Sequence, residues 1–97
     1  MKYAVNLADL TRLAQQHSLN PGLELIKRVL GQQTITLNGP LVDSTIVPLI
    51  CKEERARAIM EVLRLKLRRH ELRLYQSEDG IGKWKAYKGP DSGSDGR

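Results

Sequence analysis

Apolar and polar positions change period several times along the chain, and each change predicts an element. Lys2 to Val5 is apolar enough for a short first strand. Asn6 then offers a helix N-cap, with Asp9 three residues later near the positive helix end. Leu7, Leu10, Leu13 and Ala14 follow at helical spacing and predict a first helix over residues 7–17. Asn20-Pro21 opens a second helix over residues 21–30, a cap followed by proline where its missing N–H is harmless. Leu23, Ile26 and Leu30 share one face of it, Glu24 and Arg28 form an i,i+4 pair, and Gly31 supplies the stop.

After Gly31 the period shortens. Thr34 to Leu37 alternates and is β-branched, Asn38-Gly39-Pro40 breaks it, and Thr45 to Ile50 is β-rich again. Pro48 cannot donate to a ladder, so this strand is expected at an edge or to be short, paired antiparallel with residues 34–37. The strongest periodic signal comes next. Glu53 and Glu54 open a helix on which Ala56, Ile59, Met60, Leu63 and Leu67 fall along one stripe, a core face. Leu65 lies on the opposite side. Arg57, Arg64 and Arg68 repeat the same spacing beside the stripe, with Glu61 placed to pair with Arg57 or Arg64.

Residues 71–88 read as a β-hairpin. A three-residue loop at Glu78-Asp79-Gly80 sets Leu74 opposite Trp84 and Leu72 opposite Ala86, which gathers the apolar residues on one side. The outer side then carries Arg73, Tyr75, Lys83, Lys85 and Tyr87. Together the pattern predicts an α+β fold in one small domain over residues 1–88. It has two N-terminal helices, a short mainly antiparallel sheet, a long basic amphipathic helix and a C-terminal hairpin. Residues 89–97, Gly-Pro-Asp-Ser-Gly-Ser-Asp-Gly-Arg, offer no apolar surface and read as a flexible tail.

Composition narrows the classes. The 97 residues include 15 Leu, 6 Ile and 5 Val but one Trp, three Tyr and no Phe, so the core is aliphatic and thin. No apolar run reaches the length of about 18 residues that a bilayer requires, and no signal-peptide h-region follows Lys2, so no membrane partner is expected. A single cysteine, Cys51, excludes an internal disulfide and suits a reducing, cytoplasmic setting. With His17 and His70 it makes no metal-ligand spacing, and no metal or cofactor is expected. Cys51 reads as a small core residue, and each histidine as a helix-end cap. Gly80-Ile81-Gly82-Lys83 lacks the spacing and the strand-to-helix setting of a phosphate-binding loop. No paired acid and base stand out, so an enzyme is not expected.

The net charge of +5 is unevenly placed: residues 1–51 carry +1, residues 52–88 carry +5 and the tail −1. A basic half attracts polyanions, although the plain reading of such charge is a solvated surface. The hairpin's outer side interleaves cations with flat rings, the mixture that neutralises phosphates and stacks on bases. Arg57, Arg64, Arg68, Arg73, Lys83 and Lys85 are the expected phosphate ligands and Tyr75 and Tyr87 the stacking rings of a nucleic-acid-binding regulatory module. The alternative is a small modulator, of the kind common in phages and plasmids, whose basic surface docks on an acidic patch of a host nucleic-acid-processing enzyme. A helix-turn-helix over residues 13–30 fits less well than a plain helical pair, because Ser18 stands where glycine is usual in the turn.

Overall fold

The computed structural model describes residues 1–16, 21–37, 44–68 and 70–89; His17, Arg69 and the C-terminal segment 90–97 lie outside the described residues. The elements run β1 (Lys2–Asn6), α1 (Leu7–Gln15), α2 (Pro21–Lys27), β2 (Ile35–Thr36), β3 (Thr45–Pro48), α3 (Glu53–Lys66), β4 (Leu74–Ser77) and β5 (Lys85–Ala86). The fold is α+β: three helices and one five-stranded antiparallel sheet of order β2-β3-β1-β4-β5.

β1 is the central strand. Tyr3, Ala4 and Val5 are all buried, as a strand covered on both faces requires. Val5 pairs with Val47 on one side and Leu74 on the other, while Ala4 lies between Pro48 and Tyr75. Alternation puts Tyr3, Val5, Val47, Leu49 and Tyr87 into one core with Leu13 of α1, Leu23 and Ile26 of α2, and the α3 stripe. On α3 that stripe is Ala56, Ile59, Met60 and Leu63, as the periodicity predicts, and Leu67 packs against it from the C-cap.

Three expectations change. α2 stops at Lys27 rather than residue 30, since the Val29 N–H turns back to the Ile26 carbonyl and Leu30 bridges to Leu49. Val29 therefore fills the core position expected of Leu30. β3 is internal rather than an edge, although it is short. Proline is tolerated there because the ladder to β1 uses the Leu49 N–H, bonded to the Tyr3 carbonyl, not that of Pro48. On its other side β2 reaches only Thr45 and Ile46, and Gly31 uses the Pro48 carbonyl alone.

The third change is the register of β4 with β5. Tyr75 faces Ala86 and Gln76 faces Lys85, so the connection is residues 78–84 and not three residues. The buried Ser77 hydroxyl donates to the Gly82 carbonyl and accepts from the Gly80 N–H, and one Asp79 carboxylate oxygen accepts from the Ile81 and Gly82 N–H groups. That carboxyl is held below its usual range chiefly by these backbone N–H groups. The turn thus satisfies its own polar groups and competes with the shorter loop. Gly80 at φ +74° and Lys83 at φ +48° complete it in the left-handed region. Trp84 leaves the strand pairing, and Tyr87 moves opposite Leu74, its ring edge-on to Tyr3 at 5.7 Å. The shorter loop would also set Arg73 opposite Lys85, a pairing that the observed register replaces with Gln76 opposite Lys85.

The buried face of α3 is testable directly. Leu63 is fully buried and Leu65 is 71% exposed. Leu63→Ala should cost about 2–4 kcal/mol in urea denaturation, because truncation leaves a cavity, whereas Leu65→Ala should cost about 0.5 kcal/mol or less. Equal losses would mean the helix is seated on another face.

Candidate functional site

The residues expected to bind are positioned by a polar junction where β1, α1 and the start of β4 meet. Asn6 ends β1 and caps α1, its Oδ1 accepting the Asp9 N–H at 3.0 Å. The cap turns the Asp9 carboxylate inward, where it is 2% exposed and needs donors for its lone pairs. Arg73 supplies three: its backbone N–H at 3.0 Å, Nε at 2.8 Å and Nη2 at 3.2 Å. Arg12 adds a fourth at 3.0 Å and also reaches the carbonyls of His70 and Glu71. Asn6 Nδ2 donates to the Tyr75 hydroxyl at 3.4 Å. Burial pushes the Asp9 carboxyl up, but the Arg73 bonds and the charges of Arg73 and Arg12 outweigh it and hold it below its usual range.

A second junction ties β5 to α3. The Tyr87 hydroxyl donates to Glu61 Oε2, and Arg64 donates to both Glu61 oxygens, at 2.9 and 2.8 Å. Burial, then the Glu61 carboxylate, pushes the Tyr87 phenol well above its usual value, so it stays a neutral donor. Arg64, followed by Tyr87, holds the Glu61 carboxyl low against its partial burial.

Between these junctions a groove of about 620 Å³ opens along the C-terminal end of α3 and the edge of β4. Leu63, Leu67, Leu72, Leu74 and Ala86 supply its apolar lining; Arg64, Arg68, Arg73 and Lys88 bring cations, and Tyr75 and Tyr87 bring rings. Arg68 lies beyond the end of α3 and its backbone N–H is taken by Glu71, so the expected three-arginine flank on one helix is not what forms. Arg57, Lys83 and Lys85 do not line the groove. Arg57 pairs with Glu53 one turn away, near the opposite end of α3. Tyr87 is 7% exposed, a wall of the groove rather than a stacking face. Lys88 was outside the expected set; it follows Tyr87 directly, and only the longer loop register brings it to the groove.

Elsewhere, a depression of about 580 Å³ is lined by Lys2, Ile50, Cys51 and Trp84. The buried Trp84 indole N–H meets no acceptor among the described residues. Cys51 is half-buried against the core, as expected, and His70 is exposed beyond the end of α3 rather than capping it. Among the described residues no helix is long and apolar enough to cross a membrane, and no three His, Cys, Asp or Glu side chains group as metal ligands. No protein-family model, curated protein or solved structure matches the chain.

The Asp9 junction has a definite pH signature. Asp9→Asn should lower stability by about 2–3 kcal/mol at neutral pH, since it leaves Arg73 with a weaker acceptor. A carboxyl depressed in the folded state contributes stability above its unfolded value of about 4, and that stability is lost as pH falls through the folded value. Thermal melts of wild type and variant should therefore differ by a constant gap at neutral pH that closes in acid. A gap that persists undiminished at about pH 2 would show that the carboxylate charge is not what holds Arg73.

Proposed function

We propose that the chain is a non-catalytic module of nucleic-acid metabolism that binds nucleic acid through the groove between α3 and β4–β5. The observation that carries this reading is convergence: Arg64, Arg68, Arg73, Tyr75 and Lys88, drawn from separate elements, border one concavity. Arg68 and Lys88 have no ion pair among the described residues and serve as the phosphate ligands. Arg64 is presented in a fixed orientation by Glu61, and Tyr75 offers its ring while its hydroxyl is held by Asn6. Arg73 is committed to Asp9 and sets the position of Tyr75. Arg57, Lys83 and Lys85 stand outside the groove and add to the long-range attraction.

A second reading, a modulator that docks on an acidic surface of a nucleic-acid-processing protein, draws on apolar groups that the first leaves unused. Ile81, at the tip of the ordered 78–84 turn, is 83% exposed, and Ile50 is exposed beside Cys51. A pull-down from cell lysate separates the two, since partners that survive nuclease treatment favour this one.

Salt titration tests the first reading. Neutralising about three phosphates gives a log–log slope of roughly −2 to −3. The double variant Arg68→Ala with Lys88→Ala should flatten it by about 1.5–2 units. Tyr75→Ala should weaken binding by about 1–3 kcal/mol with the slope unchanged, because stacking releases no counterions. Absence of any retention of single- or double-stranded DNA or RNA at about 50 mM salt would sink the proposal.

A further inference from the structure

We infer that the groove takes an unpaired base of a single strand, rather than the surface of a duplex; this rests on the nucleic-acid reading above and specifies its ligand. The argument starts from the shape of the concavity. Its volume of about 620 Å³ lies within the range of about 300–1,000 Å³ typical of small-molecule sites, and so has room for a nucleobase. Its lining is apolar at Leu63, Leu67, Leu72, Leu74 and Ala86, and the cations sit among these groups. A duplex presents a convex row of phosphates, with its bases paired and stacked inside. Such a ligand would meet Arg68 and Lys88 but leave the apolar lining wet. A single strand can turn a base outward. That base has apolar faces for the leucine lining and polar edges for the groove mouth, while the phosphates on either side reach Arg68 and Lys88.

The walls suit that occupant. Tyr87 is tied to Glu61 and edge-on to Tyr3, and Tyr75 is bonded to the Asn6 cap, so neither ring has to be ordered when a base enters. The recognition this predicts is tolerant of sequence, since every base offers a flat face.

The experiment uses three labelled probes in fluorescence anisotropy with the full chain: a single-stranded DNA of about 16 nucleotides, a duplex of the same length, and the same single strand with its bases removed at consecutive central positions. The single strand should bind about tenfold tighter than the duplex, and the abasic strand should lose about that advantage with an unchanged salt slope. Equal affinity for intact and abasic single strands, or for single strand and duplex, overturns base insertion and leaves nucleic-acid binding standing. Failure of all three probes to bind at low salt overturns the broader reading and this one with it.

Discussion

The buried Asp9 carboxylate is the constraint around which the molecule is arranged. It follows the Asn6 cap, so α1 cannot begin without turning this charge into the protein. A carboxylate that is 2% exposed is tolerated only with a full set of donors, and Arg73 supplies most of them from 64 residues away. Meeting that demand brings the start of β4 against the end of β1, where the Asn6 N–H also bonds to the Arg73 carbonyl. From there the pairing of Val5 with Leu74 and Ala4 with Tyr75 follows in register. The position of Tyr75, and so of the groove, is a consequence of satisfying one buried charge.

How much of this was legible from the sequence depended on whether the determinant was local. The Asn6 cap, the start of α3 at Glu53 and the stripe from Ala56 to Leu63 are set within a few residues and were read directly. The register of β4 with β5 was not, because it is decided by the buried Ser77 hydroxyl and the Asp79 carboxylate capturing N–H groups that a shorter turn would leave in water. Asp9 looked like an ordinary first-turn acid. Nothing near it in sequence announces Arg73, which the sequence places on the outward face of the hairpin. Pro48 leaves two outcomes open, an edge or a short strand, and the structure takes the second for a related reason. Proline excludes only one of a strand's two sides at a given position, and which side depends on a ladder phase that the chain does not print.

The candidate site shows the same division. Five of the eight residues expected to bind line the groove: Arg64, Arg68, Arg73, Tyr75 and Tyr87. Sequence proximity and residue type were enough to assemble them, but not to assign their work. Tyr87 and Arg73 are expected as exposed ligands; in the structure Tyr87 is buried and both also tie carboxylates, Glu61 and Asp9. Lys88 is not among the expected ligands, and the structure adds it to the groove.

Charge is therefore a poor guide until pairing is known. The basic excess of residues 52–88 looks like one surface in the sequence, yet Arg57, Arg64 and Arg73 each answer a carboxylate, Glu53, Glu61 and Asp9. Their charges are compensated where they stand, and their contribution is geometric: Arg64 helps hold the α3 wall, and Arg73 holds the β4 edge. Of the cations that line the groove, Arg68 and Lys88 are the ones left without an ion pair among the described residues, one following α3 and the other following β5. Two point charges across a greasy floor are a weak site for a bare phosphate, which would gain little over water at an exposed surface. They suit a ligand that carries phosphates at a spacing and something flat between them. The compensated arginines are held in fixed positions and the uncompensated cations give the cleft a sign, and the apolar lining would give a strand bound as proposed more to gain than electrostatic attraction alone.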